Sequence, residues 1–323
     1  MAQPSNLLLK FSRRLFDRPE EQEQFIAALQ TPPAFHPCIL WTRPRPNPLP
    51  FAPEPPLDWQ PDFVDRLPLG IRPGQNPLHE QGYYYCLDFS SVFAATPLLS
   101  LPPADRVLDL CAAPGGKSIY AWRALQPQLL LSNEVIGKRV GMLIANLKRC
   151  GVATVAVFSL DPQVWATQAE AMAQVVLVDA PCSGQSLLAK GEKVPGCFHP
   201  VTINQNANRQ KRILANAAQV VAPGGYLLYT TCTFAPEENE QVCEWLGTKF
   251  PQFQPIAIPA LAAYQSPFSS SPCYRLWPQS GLGAGGFTML MQNTAEGIAG
   301  ALELKGPLVA RWSSWGDNPS PYP

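Results

Sequence analysis

The stretch Val175–Ser186, VVLVDAPCSGQS, carries an apolar run into Asp179 and Pro181 and then presents the thiol of Cys182. Further along, TTCT presents Cys232 in the same way. A structural cysteine more often sits inside an apolar run, where it serves as a small hydrophobe. Thiols just past strand ends are open to a substrate, and the thiolate form is a nucleophile. Two thiols and an aspartate at neighbouring strand ends suit covalent catalysis, in which a bond to sulfur splits one hard step into easier ones.

A second group of residues suits a ligand. LDLCAAPGGK ends a strand and opens a helix through Pro114, Gly115 and Gly116, so that backbone N–H groups at the helix start can cradle it. The run is neither a G-x-G-x-x-G fingerprint nor a P-loop, which needs four residues between its first glycine and Gly-Lys. Glu134, at the tip of the next strand, is placed to hold a ribose diol, and Asp161 to cap an adenine amino edge or to start a turn before Pro162. Acids and glycines converging on one crevice describe a nucleoside cofactor without a pyrophosphate, a description that S-adenosylmethionine fits.

The elements that must position these residues alternate from Ala104 onward. DRVLDL, LLLSNEV, ATVAVFSLD, AQVVLVDAP and YLLYTTCTF read as strands. Between them GGKSIYAWRAL, GKRVGMLIANLKRCG, QNANRQKRILANAAQVVAPGG and PEENEQVCEWLGTKF read as helices, the third stopped by Pro-Gly-Gly and the fourth opened by Pro236. GAGGFTMLMQN reads as an antiparallel edge hairpin. The alternation predicts an α/β fold with a parallel sheet covered on both faces, its ligands beyond the carboxyl ends of the strands. Residues 1–95 read as a small N-terminal module and 96–323 as the catalytic domain. In the module, EEQEQFIAALQ is a helix, and eleven prolines between Thr31 and Pro61 predict an irregular connector that can be strand only at an edge.

Composition narrows the partners. Lys+Arg and Asp+Glu balance at 24 each, so global charge argues for neither a nucleic acid nor a membrane, and any anion must be held locally. No apolar run has the length of a signal peptide or a membrane span, which predicts a soluble, cytoplasmic protein. Nine cysteines without a C-x-x-C pair, beside three histidines, predict free thiols and no metal site.

DLCAAPGGK, DAPCSG, TTCTFAPEENE and the late GAGGF, in this order and spacing, resemble the RNA (cytosine-5) methyltransferases of the RsmB/Nop2/Sun family over roughly Gly82–Asn293. The resemblance implies a Rossmann-like, class I S-adenosylmethionine-dependent methyltransferase fold with a small N-terminal α+β module. It implies Cys232 as the nucleophile and Cys182 as the residue that releases the product. The cofactor loop would be Cys111, Ala112, Ala113, Pro114, Gly115, Gly116 and Lys117, with Glu134, Asp161 and Asp179 as further ligands of cofactor or base. The chemistry agrees with these roles: carbon 5 of cytosine is a weak nucleophile until a thiolate adds at carbon 6. The carbon 5 proton must then leave before the thiol is expelled. Asp179 would hold the ring N3 or the exocyclic amine. Cys232 needs a depressed pKa, from nearby cations or from the helix after Pro236.

The implied partner is an RNA, ribosomal or transfer. Lys190, Lys193, Arg209, Lys211 and Arg212 form one basic set, and Lys138, Arg139, Lys148 and Arg149 a second, both suited to phosphates. Aromatics in GYYYCLDF, with Phe198 or His199, could stack on a base drawn out of its helix. The chain departs from the family at Leu87, where a glutamine is common, at QSLLAKG in place of Gly-x-x-Arg, and at KVPGCFHP. Those departures leave the RNA target open. The competing readings are uridine-C5 methylation and a catalytically idle RNA-binding or ribosome assembly factor; the paired thiols speak against both. Amino-group methylation wants Asp/Asn-Pro-Pro-aromatic where this chain has Asp-Ala-Pro-Cys.

Overall fold

A computed structural model describes residues 3–304 and 307–312 of the 323-residue chain. The N-terminal part opens with α1 (Asn6–Leu15), capped by the Ser5 hydroxyl, and α2 (Pro19–Gln30), with proline at its first position. Then follow β1 (Cys38–Trp41), β2 (Val64–Arg66), the short α3 (Pro77–Glu80), β3 (Tyr84–Leu87) and α4 (Phe89–Ala95). The three strands form an antiparallel sheet in the order β2-β1-β3. Its central strand is thus the proline-free CILW inside the proline run, where the sequence predicts strand only at an edge. Four consecutive residues without proline suffice, because each can donate to the ladder.

From Arg106 the chain alternates: β4 (Arg106–Asp109), α5 (Gly116–Leu125), β5 (Leu129–Asn133), α6 (Gly137–Arg149), β6 (Val155–Phe158), α7 (Pro162–Gln168), β7 (Ala173–Asp179), α8 (Pro200–Val220), β8 (Val221–Thr231) and α9 (Glu240–Lys249). β9 (Phe253–Pro255), β10 (Tyr274–Leu276), β11 (Gly286–Asn293) and β12 (Leu308–Trp312) complete a nine-stranded sheet. Its path is β10-β11-β8-β7-β4-β5-β6-β12, with β9 also on β11. β4 to β8 are mutually parallel and the added strands antiparallel. This is the doubly wound, Rossmann-like α/β fold that the alternation predicts. The strand order reverses between β4 and β7, and that switch point opens a crevice at the carboxyl ends.

Three details differ from the sequence reading. Pro-Gly-Gly (223–225) does not end α8. It lies within β8, where the pairing with β7 shifts register, and Gly224 has φ +72°. That is a bulge, which tolerates both residue types. β11 is not an edge strand, because β8 flanks it on one side and β10 on the other. α9 opens at Glu240 rather than Pro236, since Glu238 and Asn239 turn inward and are fully buried.

The first 95 residues share their core with the rest. Leu8, Phe11, Phe25 and Leu29 of α1 and α2 pack against Ala189, Ile203, Phe234 and Ala284. Phe25 is wholly buried, its ring 5.2 Å from that of Phe234 in an edge-on contact. On the other side Cys38, Leu40 and Val64 join Phe89, Phe93 and Tyr120 in the cluster beneath the large sheet. Among the described residues no helix is long and apolar enough to cross a membrane.

Candidate active site

The crevice holds a cavity of about 540 Å3, within the range of small-molecule and cofactor sites. Its floor is the end of β4. Asp109 is fully buried there and accepts from the Ser118 hydroxyl at 2.7 Å. Burial pushes its carboxyl up to about 7; the Ser118 bond opposes that shift and the nearby Asp179 charge adds to it. The following loop lines the cavity with Cys111, Ala112, Ala113, Pro114, Gly116 and Lys117. Gly115 stays out of the wall. It supplies the left-handed turn, φ +114°, that starts α5, packed on Leu143. α5 has no side-chain N-cap, so its first N–H groups remain available to a ligand.

The strand-end acids meet at the same cavity. Glu134 is nearly buried; one carboxylate oxygen accepts from the Ile136 N–H at 2.8 Å, and the other lies 3.2 Å from Arg139 Nη1. Asp161 lines the cavity and starts α7, capping it through the Gln163 N–H at 2.9 Å. Asn133, not foreseen in the sequence, pins three segments. Its amide donates to Leu110 O and Leu160 O and accepts from the Leu160 N–H. An uncapped helix start, a strand-end glutamate and a third-strand aspartate on one cavity fit a nucleoside ligand without a pyrophosphate.

At the far wall stand the groups that could react. Asp179, which ends β7, is paired with Lys117 Nζ at 2.7 Å and accepts from the Thr230 hydroxyl at 2.9 Å. Burial lowers the Lys117 pKa, and the charge and hydrogen bond of Asp179, with the charges of Cys232 and Asp109, together more than restore it. Cys182 and Cys232 bring their sulfur atoms to 3.1 Å, and the Ser186 N–H donates to Cys232 O at 3.1 Å, locking the two turns together. The hydrogen bond with Cys232, and then burial, push the Cys182 thiol well up. The same bond lowers Cys232, with Lys117 and Lys190 adding to the effect against burial and the Asp179 charge. In these directions the proton is held more tightly on Cys182 than on Cys232.

Of the two basic sets, Arg139, Lys190, Arg209 and Arg212 reach the cavity. Lys190 Nζ lies 3.6 Å from Asp88 across it. Of the others, Arg149 donates to His79 O and Tyr84 O, Lys148 sits over Trp312 and Lys211 over Trp245, while Lys138 and Lys193 are exposed outside the cavity. Of the aromatics, Tyr85 lines the cavity. Tyr84 is buried with its hydroxyl on Pro73 O, Phe198 packs on Phe11, and His199 caps α8.

With this geometry in place, the chain compares closely with one group of proteins. Residues 96–292 match the family described as 16S rRNA methyltransferase RsmB/F. The chain belongs to that family. As an RsmB/F family member it is 35% identical over 200 residues to the ribosomal RNA small subunit methyltransferase F of Escherichia coli strain SE11 and, equally, of Shigella boydii serotype 18. These matches take in 60% of this chain but 41% of each relative, so the chain spans about two fifths of their length. A methyltransferase homolog from Pyrococcus horikoshii shares the fold at 23% identity, with a TM-score of 0.70 over 90% of this chain and 100% of that one. NSun6 from Pyrococcus horikoshii, solved with SFG, does so at 18% identity and a TM-score of 0.70 over 90% and 99%. The family resemblance read from the four sequence motifs is thereby borne out.

Proposed function

We propose that this RsmB/F family member transfers a methyl group from S-adenosylmethionine to carbon 5 of a cytosine in RNA, through a covalent adduct of Cys232 at carbon 6. The observation that carries the reading is the 3.1 Å contact between Cys182 and Cys232 beside the Lys117–Asp179 pair. S-adenosylmethionine, when bound, supplies the electrophilic methyl. The residues that would hold it are the loop 111–117, with Glu134 for the ribose and Asp161 for the adenine edge.

Asp179, fixed by Lys117 and Thr230, accepts from the exocyclic amine of the base and orients the ring. Cys232, held toward the thiolate by the Cys182 proton, adds to carbon 6, and carbon 5 becomes enamine-like. Once that sulfur is bonded to carbon, the largest influence that kept Cys182 protonated is gone. Cys182 then ionises, its proton passing to solvent, and, once carbon 5 bears the methyl, removes the carbon 5 proton as thiolate. The electron pair released re-forms the ring double bond and expels Cys232 as thiolate. Arg139, Lys190, Arg209 and Arg212 at the cavity serve the phosphates that bring the nucleotide in.

The test is methyl transfer from labelled cofactor into ribosomal or transfer RNA. Wild type is expected to incorporate label at cytosine C5 and Cys232→Ala to lose it; equal incorporation by the mutant sinks the mechanism. Incorporation by neither protein leaves the idle RNA-binding reading in its place.

A further inference from the structure

Glu238 is fully buried, yet the sequence reads it as one of several acids at a helix start. Its donors are neutral: the Ser183 N–H at 2.9 Å and the Gln210 amide at 2.9 Å on one oxygen, and the Thr233 hydroxyl at 3.5 Å on the other. Ser183 follows Cys182 and Thr233 follows Cys232. The hydroxyls of Ser183 and Thr233 also bond each other at 2.7 Å. The same Gln210 amide reaches Pro181 O at 3.1 Å, and the Tyr229 hydroxyl donates to the main-chain carbonyl of Glu238 at 2.6 Å. One carboxylate thus sits behind both reactive sulfurs, tied to the residue after each.

We propose that Glu238 is a positioning residue that clamps the Cys182 turn to the Cys232 turn and, by its negative charge, keeps the shared proton on Cys182, so that Cys232 is the sulfur that attacks. The proposal rests on the reading of these cysteines as a working pair. A bare carboxylate in a buried site is costly unless hydrogen-bonded. Three donors oppose that cost but do not cancel it, since burial still raises the Glu238 pKa; the carboxylate's charge adds to the Cys232 bond and to burial in opposing ionisation of Cys182. Without that charge either thiol could lose its proton, and the division of labour between attack and release would blur.

The test needs no RNA. Full-length protein is treated with limiting iodoacetamide, and the label on Cys182 and Cys232 is counted by peptide mass mapping. Wild type is expected to carry label on Cys232. In Glu238→Gln, which keeps the shape and removes the charge, the Cys232-to-Cys182 ratio should fall roughly tenfold, the effect of about one pKa unit on thiolate fraction. Glu238→Asp, which keeps the charge, should hold the wild-type preference even if its thermal stability drops. An unchanged ratio in Glu238→Gln, or an equal fall in Glu238→Asp, overturns the proposal. Should Glu238→Gln fail to fold, Gln210→Met removes the donor to both Glu238 and Pro181 O and should slow alkylation of Cys232; an unchanged rate there also overturns it. A wild type that labels as expected but methylates no RNA would refute the proposed function and leave the clamp standing.

Discussion

Cys182 and Cys232 come from turns after different strands, β7 and β8, and meet with their sulfur atoms 3.1 Å apart. The parallel register of those strands sets the contact: Asp179 lies opposite Thr230, and each chain then needs only a short turn to bring its thiol over the sheet end. In the proposed mechanism this one pairing supplies both the attacking and the releasing sulfur.

Replacing Cys182 with alanine should let Cys232 add to the base but not let the product leave. The expected outcome is a protein–RNA complex that survives denaturing electrophoresis, with turnover lost, and that disappears in the Cys182→Ala/Cys232→Ala double mutant. Normal turnover by Cys182→Ala would refute the release role.

Asp109 makes stability depend on pH. Its carboxyl is raised from 3.8 to about 7 in the fold, so the folded protein holds the proton more tightly than the unfolded chain. Its stabilising share is complete below the unfolded value and is lost as pH climbs from about 4 through about 7, on the order of 4 kcal/mol at most. Denaturant unfolding at pH 5 and pH 8 should show a smaller loss of stability in Asp109→Asn than in wild type. An identical pH difference in the two proteins would mean that Asp109 is ionised throughout.

Phe25 joins the N-terminal helices to the wall that carries Phe234 and Trp277, with ring centroids at 5.2 and 6.0 Å. Phe25→Ala should cost about 3–5 kcal/mol by emptying a closed site. Because Phe234 lies two residues after Cys232, the mutant should also alkylate at Cys232 with altered rate. Chemical denaturation and the alkylation time course check the two effects; a loss under about 1 kcal/mol would show that the site collapses without harm.

Much of this was legible in the residues. The apolar strands of the parallel sheet, the Pro-Gly-Gly-Lys turn and the acids at strand ends each follow from local rules, and they place Glu134, Asp161, Asp179 and both thiols around one crevice. What escaped needs long-range partners. Asn133 looks like a strand-end polar residue until the segments at Leu110 and Leu160 are seen to close on it. Glu238 and Asn239 read as helix-start residues because their inward turn is decided by Ser183, Gln210, Thr231 and Thr233. Phe198 reads as a free stacking platform until Phe11 covers it. The depression of Cys232 comes first from a neighbouring thiol rather than from a helix start, which Glu238 and Asn239 displace to Glu240.

The place of β11 between β8 and β10 has a bearing on the order of assembly. β8, which delivers Cys232, has β7 on one side, but its other edge finds a partner only in residues 287–292. A chain emerging from the ribosome can pair β4 with β5 and β7 early, while β8, the strand that leads to Cys232, stays half-paired until some sixty residues more have been made. The outer edge of β6 waits longer still, for Leu308–Trp312, so both flanks of the parallel core are closed only by the last strands made.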